Sequence, residues 1–593
     1  MKPLWLLSSL IILAIGTSFY LPDKVGKAEK PNVIIIMTDD QGYGDVGIHG
    51  HPTLRTPHLD KLGKESTRLT NFHVTPMCTP TRSQLLTGRH ALSNGAHMVC
   101  SGYTFIREDI PTLADYFKAD GYRTGLFGKW HLGDNYPYRP QDRGFEESVI
   151  HKGWGITCSS DHWNNDYFDD YYWHNGELEQ YEGYCTDIWF SEAMQWMKEM
   201  NKKGERFLTL IPTNAPHGPL YLPEKYRKTY LDMGLNRHLA SYFGMIENLD
   251  DNVGRLEEFL KSTGLRKNTI LIFTTDNGNA SSVKYYNAGL RGGKESLYEG
   301  GHRVPFFMRW PAGKLTRKEI NQLTDVKDLL PTLADLCDVQ YEPVQDFGGL
   351  SIAGVLKRSP QPELDDRKVV IQYGRKPFFR LELPKKGDAA VLWNKWRLIR
   401  GEELYDIEAD KAQENNVYDQ HPEVVKEMKD YYNAWWDKVQ PDLQHINHIA
   451  IGSPYENPVT ITSHDWLLMN SSNSWWIREG INRSGAWNIE VKKDGKYEIA
   501  LHRWPKEAET PLRGAAPAYQ AVDARFKEGK ALPIQHANLR IAGQTHWQKI
   551  EEDALAATFE VELKAGKTQM QTWFYDKNRN QLCGAYYVYV TAL

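Results

Sequence analysis

Four apolar runs along the chain each end in a burst of polar or ionisable residues, and that repetition predicts the architecture. Val33-Ile34-Ile35-Ile36-Met37 has no polar alternation, the pattern of a strand buried on both faces of a parallel sheet. It runs into Thr38-Asp39-Asp40-Gln41-Gly42. Residues 121–127 lead to Gly128-Lys129-Trp130-His131, residues 207–211 to Pro212-Thr213-Asn214-Ala215-Pro216-His217, and residues 270–273 to Thr274-Thr275-Asp276-Asn277. Helical patterns over 110–119 and 239–262 lie between. Strands alternating with helices predict an α/β fold with a doubly wound sheet. Ligands bind such sheets beyond the carboxyl ends of the strands, where all four clusters fall.

The pattern changes after residue 365. Short strands at 369–372, 389–393 and 395–400 precede a helix opened by Pro422 and running through Trp436, which predicts a small α+β subdomain over 366–440. A linker near 440–457 leads to antiparallel alternation over 455–593. There, apolar stretches at 487–491 and 497–501 flank Asp494-Gly495, a hairpin signal, and stretches at 558–563 and 568–575 flank Ala565-Gly566. A β-sandwich is expected.

A length of 593 residues exceeds one ordinary core, so several domains are required. The net charge of −5 with both signs abundant gives no sign of a nucleic-acid binder, which would usually be clearly basic. The 19 Trp and 32 Tyr suit a wet binding surface. At the start, Lys2, an apolar run over 4–15 and Ala14-Ile15-Gly16 read as a secretory signal over 1–18, too short to span a membrane comfortably. Export to the periplasm or beyond, without stable membrane insertion, is the expectation; an uncleaved anchor is the alternative. Six cysteines are present; Cys158 and Cys185 could bridge in an exported chain, a pairing the sequence leaves open.

The stretch Pro76-Met77-Cys78-Thr79-Pro80-Thr81-Arg82-Ser83-Gln84-Leu85-Leu86-Thr87-Gly88 carries the sharpest chemistry. Pro80 suits a first helical turn, so Cys78 falls near a helix N-terminus, where free N–H groups favour an anion. Arg82 lies one turn on. Every position resembles the Cys-x-Pro-x-Arg signature, with its trailing Leu-Leu-Thr-Gly, of the type I sulfatases. Residues 121–132 resemble the second signature of that family, with Phe127 larger than usual. Arg291-Gly292-Gly293-Lys294 followed by Glu299-Gly300-Gly301-His302-Arg303 is similar to a third family segment.

The resemblance implies an alkaline-phosphatase-like catalytic domain over 30–365, with the 366–440 subdomain behind it, and sulfuric ester hydrolysis. It implies that a maturation enzyme oxidises Cys78 to formylglycine. It also implies one divalent ion, Ca²⁺ by preference, held by Asp39, Asp40, Asp276, Asn277 and the modified Cys78; these are hard oxygen donors that suit Ca²⁺ or Mg²⁺ and not zinc. In the roles it carries over, Arg82 steadies the nucleophile, Lys129 and Lys294 bind sulfate, His217 protonates the leaving oxygen, and His131 takes the proton when sulfate departs.

A phosphomonoesterase or phosphodiesterase of the same superfamily is the main alternative; it would favour Ser or Thr as nucleophile and two zinc ions with more His ligands, whereas some formylglycine enzymes hydrolyse phosphonate monoesters and would share Cys78. A non-catalytic carbohydrate-binding protein is another, and for the sandwich it stands beside a structural brace that walls the active site. The expected substrate is a sulfated oligosaccharide or polysaccharide. Algal ulvan, carrageenan and fucan come first, with glycosaminoglycans behind. The segment 154–173, which holds Trp154, Trp163, Tyr167, Tyr171, Tyr172 and Trp173, is expected to meet sugar or to pack on the sheet. Trp163 and His302 are the named sugar contacts.

Overall fold

The computed structural model describes residues 30–344, 347–373 and 381–593. The expected signal segment lies outside these. Five parallel strands form the centre of a ten-stranded sheet, in the order Thr269–Thr275, Asn32–Thr38, Phe207–Pro212, Arg123–Lys129, Glu147–His151. The unbroken apolar run is explained by which way its side chains point. Val33, Ile35 and Met37 enter one core with the helices Cys78–Thr87, Leu113–Ala119 and Leu329–Cys337. Ile34 and Ile36 enter another with Pro57–Glu65, Cys185–Lys203 and Arg237–Ser262. Successive side chains alternate between faces, so a strand covered on both sides must be apolar throughout.

The sheet turns antiparallel on both sides of its centre, and its outermost strand, Lys318–Ile320, pairs in parallel with Thr67–Leu69. Phe307–Arg309 runs antiparallel to Thr269–Thr275, and Thr67–Leu69 continues that edge, while Tyr171–His174 and Glu177–Gln180 close the other as a hairpin. Behind it, Lys368–Gln372, Ala389–Trp393, Trp396–Ile399 and Glu403–Asp406 form an antiparallel sheet. The helix Pro422–Val439 packs on it through Val425, Met428 and Trp435.

The C-terminal region is a sandwich of two main sheets, and its connections differ from the expected hairpins. Ala486–Val491 lies between Ile449–Ile451 and Gly566–Tyr575, whereas Gly495–His502 lies in the other sheet between Tyr587–Ala592 and Ala557–Leu563. Asp494-Gly495 and Ala565-Gly566 therefore carry the chain across from sheet to sheet. Both edges of Ala486–Val491 are already paired, which leaves no place for the next strand beside it. The two crossings are tied together: Asp494 Oδ1 accepts from Ala565 N at 2.7 Å and Oδ2 from Lys564 Nζ at 3.0 Å. Ile449–Ile451 lies inside the segment read as a linker. The sandwich core extends into the catalytic unit through Phe105 and Tyr138, whose rings stack at 4.6 Å.

All six cysteines are free and buried, so the Cys158–Cys185 bridge is not made. Cys185 instead accepts a hydrogen bond from Asn214 Nδ2 at 3.5 Å.

Candidate active site

The polar clusters converge because their strands are neighbours. Asp276 N donates to Thr38 O at 3.1 Å and Asp39 N to Ala215 O at 3.0 Å, which knits three strand ends together. A Cβ on Gly278 would lie 1.9 Å from Gly300 O, so only glycine lets the 291–301 segment rest on the Asp276 strand end. Lys294 N then donates to Asn279 O at 3.0 Å. From the opposite side the Cys78–Thr87 helix points its N-terminus inward.

Three carboxylates meet three cations, pair by pair. Lys129 Nζ reaches Asp39 Oδ2 at 2.6 Å, Lys294 Nζ reaches Asp40 Oδ1 at 2.6 Å, and Arg82 holds Asp276 Oδ2 through Nε at 3.0 Å and a terminal nitrogen at 2.7 Å. The remaining terminal nitrogen of Arg82 donates to Lys129 O at 2.9 Å. Arg82 thus braces Asp276 and the Lys129 strand end. One ligand atom each from Asp39, Cys78 and Asp276 lies within 4.8 Å of the others, and so does one each from Asp39, Asp40 and His217.

Burial and neighbouring charge set the protonation states. Burial raises the Asp276 carboxyl to about 6, helped by Asp39 and opposed by Arg82. Burial works the same way on Asp40, but Lys294 and the Asn277 amide, which donates at 2.8 Å, outweigh it and hold the group below the ordinary carboxylate range. Burial lifts the Cys78 thiol, an inert state for a thiol nucleophile. His217 is pushed down to about 3 and His131 well below its ordinary value, in both cases first by burial.

The tautomers follow from the partners. His217 Nδ1 donates to Gly218 O at 2.6 Å, leaving the Nε2 lone pair facing Asp40 Oδ2 at 3.8 Å. His131 Nε2 donates to Val99 O at 2.6 Å, and its buried Nδ1 has no partner. Asp39 Oδ1 and Asn277 Oδ1 are also buried without a partner. Orphaned oxygens beside a lone pair that faces a carboxylate are the environment a cation satisfies, so this donor set fits a hard divalent ion.

The structure does not bring the two expected sugar contacts to the cleft. His302 is fully buried; its Nδ1 meets His73 Nδ1 at 2.9 Å and its Nε2 meets Leu297 O at 3.1 Å. Glu299 sits beside this pair and is taken by Arg397 at 2.6 Å. Trp163 packs edge-on against Trp504 of the sandwich at 5.8 Å, with the Arg478 guanidinium 4.5 Å from its ring centroid; it serves the contact between the two units. Trp154 takes the position beside the chemistry, 5.7 Å ring to ring from His217. Sequence reasoning placed it in the right segment but did not single it out. His151 was missed altogether: it ends the strand Glu147–His151, and its Nε2 is buried without a partner. Next to Cys78 a cavity of about 120 Å³ is lined by Met77, Pro80, Met98, Val99, Tyr373 and Asn470, drawing on all three parts of the chain.

A family model described as sulfatase matches residues 31–339. The ulvan-active sulfatase of Formosa agariphila is 27% identical over 442 residues, covering 70% of this chain and 82% of that one. N-acetylgalactosamine-6-sulfatase of Rattus norvegicus is 28% identical over 361 residues, covering 55% and 66% respectively. The crystal structure of Ps i-CgsB in complex with k-i-k-neocarrahexaose superposes with a TM-score of 0.63 at 28% identity, over 70% of this chain and 94% of that one.

Proposed function

The chain belongs to the sulfatase family and is a sulfuric ester hydrolase, and from that premise we propose that it removes sulfate from a sulfated carbohydrate. Cys78 is converted to formylglycine, and Asp39, Asp40, Asp276 and Asn277 hold one Ca²⁺. The observation that carries this reading is the pairwise balance of three buried carboxylates and three cations around Cys78. A neutral cluster that gains a divalent ion becomes a site for an anion.

A hydrated formylglycine supplies one hydroxyl to attack sulfur and a second whose deprotonation expels sulfate, while the ion supplies positive charge to the sulfate oxygens. Lys129 and Lys294 contact those same oxygens as charge shifts onto them. His217 carries the proton to the leaving oxygen. Burial, with the charges of Lys294 and Lys129 behind it, keeps it neutral against the pull of Asp40, and the negative charge of a bound ester works in the opposite direction. His131 accepts a proton through the Nδ1 that its Val99 contact leaves free.

Support for a carbohydrate comes from the ulvan-active sulfatase and from the Ps i-CgsB complex with a neocarrahexaose, and we place this chain with enzymes that act on algal polysaccharide fragments. The domain plan is a catalytic unit over 30–365, a subdomain over 366–440 and the sandwich behind them. Export through the segment 1–18 belongs to the same proposal; among the described residues no helix is long and apolar enough to cross a membrane. The test is sulfate release from oligosaccharides of ulvan, carrageenan, fucan and glycosaminoglycans. Release from none of them, beside fast turnover of a simple aryl sulfate, overturns the carbohydrate assignment.

A further inference from the structure

Between the strand Val459–Thr462 and the helix Ser474–Glu479 the chain keeps Trp466 in the sandwich core while its main chain reaches across to the catalytic unit. Main-chain hydrogen bonds pin this loop along its length. Ser101 N donates to His464 O at 2.8 Å, Leu468 N to Ser101 O at 3.2 Å, and Ser159 N to Ser472 O at 2.7 Å. Near its end a relay of side chains leads to the active site. Trp154 Nε1 donates to Ser472 Oγ at 2.9 Å, and Ser472 Oγ donates to Asn470 Oδ1 at 3.2 Å. Asn470 lines the cavity beside Cys78. Trp154 is half-buried, and its ring lies 5.7 Å from that of His217.

We propose that Trp154 is the platform on which the sugar ring of the ester stacks, and that Ser472 of the C-terminal sandwich is the positioning residue that sets its plane. This rests on the reading of His217 as proton donor to the leaving oxygen. That oxygen belongs to the sugar, so a side chain flanking His217 flanks the alcohol half of the substrate. An indole offers a broad flat apolar face, suited to the C–H face of a pyranose, and one N–H. Ser472 uses that N–H and so fixes the ring's rotation. The sandwich is then part of the substrate site and not an appendage to it.

The full chain tests this with Trp154→Ala, Trp154→Phe, Ser472→Ala and the double variant Trp154→Phe/Ser472→Ala. Sulfate release from ulvan, carrageenan and fucan oligosaccharides is measured beside calorimetric binding of the same oligosaccharides to a Cys78→Ala background. Trp154→Ala should lower kcat/KM and affinity about tenfold or more. Ser472→Ala should lower them about two- to tenfold. Phenylalanine has no N–H to give, so adding Ser472→Ala to Trp154→Phe should change nothing further. Undiminished release by Trp154→Ala, or a Ser472→Ala loss of equal size on the Trp and Phe backgrounds, overturns the proposal while hydrolysis stands. Binding that depends on Trp154 in a chain that releases no sulfate leaves the platform standing and removes the hydrolytic reading. A wild-type chain that neither binds nor desulfates any oligosaccharide overturns both.

Discussion

Arg82→Met should do more damage than its distance from the substrate suggests. The guanidinium is buried and spends all of its directed bonds inside the protein, two on Asp276 Oδ2 and one on Lys129 O. Removing one partner of such a buried pair costs about 3–5 kcal/mol, and the stranded Lys129 carbonyl adds about 1–3 kcal/mol. These costs overlap, since one group makes both contacts, so a total of about 4–6 kcal/mol is expected. The Asp276 carboxyl, raised to about 6 even with Arg82 opposing that rise, should move higher still and hold a proton at neutral pH. Loss of stability should therefore shrink as pH falls from 7 towards 5, because folding of the variant takes up the proton that neutralises this carboxyl and that uptake costs less at lower pH. Denaturant midpoints followed by two probes, with calcium titration alongside, read both effects. Arg82→Met/Asp276→Asn should recover much of the loss, as neutral replacements of a buried pair do. A midpoint for Arg82→Met within about 1 kcal/mol of wild type, or a double variant no better than the single, would refute the argument.

Three further outcomes follow from the same site and its surroundings. Active preparations should carry an aldehyde in place of the Cys78 thiol, detectable by a hydrazide probe on the peptide containing residue 78; unmodified thiol in an active sample would end the formylglycine reading. Exhaustive chelation should abolish turnover and lower the thermal midpoint, and Asp40→Asn should weaken calcium retention; full activity in a sample with no detectable metal contradicts this. His51 is held down to about 4 by burial, and its Nδ1 accepts from Leu54 N at 2.8 Å and Thr53 N at 3.2 Å. Its contribution to stability should be complete above about pH 6.5 and lost as pH falls towards 4. His51→Asn, which keeps an acceptor but cannot titrate, should flatten that part of the midpoint–pH curve, and an unchanged slope would count against it.

What the chain revealed before its structure depended on how local the determining physics is. Val33-Ile34-Ile35-Ile36-Met37 announces a doubly covered strand because burial on both faces is written into consecutive positions. The acidic and basic clusters were legible because they directly follow such strands. Pairing in the sandwich was not, since apolar alternation at 487–491 and 497–501 is the same whether the chain folds back in one sheet or crosses to the other. What decides is the occupancy of both edges of Ala486–Val491 by strands remote in sequence. The aromatic segment misled for a related reason. Trp154 and Trp163 are alike by composition, and the sandwich side chains that claim each, Ser472 for one and Trp504 with Arg478 for the other, lie more than three hundred positions away in the chain. His302 followed a family segment whose register was informative, but its side chain turns into a buried His73–Glu299 cluster and not towards the cleft.

The strand Tyr587–Ala592 sits in the interior of its sheet, between Val459–Thr462 and Gly495–His502. During synthesis the 459–462 strand, from which the cleft-lining loop departs, therefore waits for a partner made some 130 residues later. Translation must pass Ala592 before that loop has a finished base. A chain without residues 587–592 would retain its nucleophile, its lysines and its carboxylates, yet leave Val459–Thr462 and Gly495–His502 without the strand that joins them. The base of that loop is thus complete only when this strand is in place.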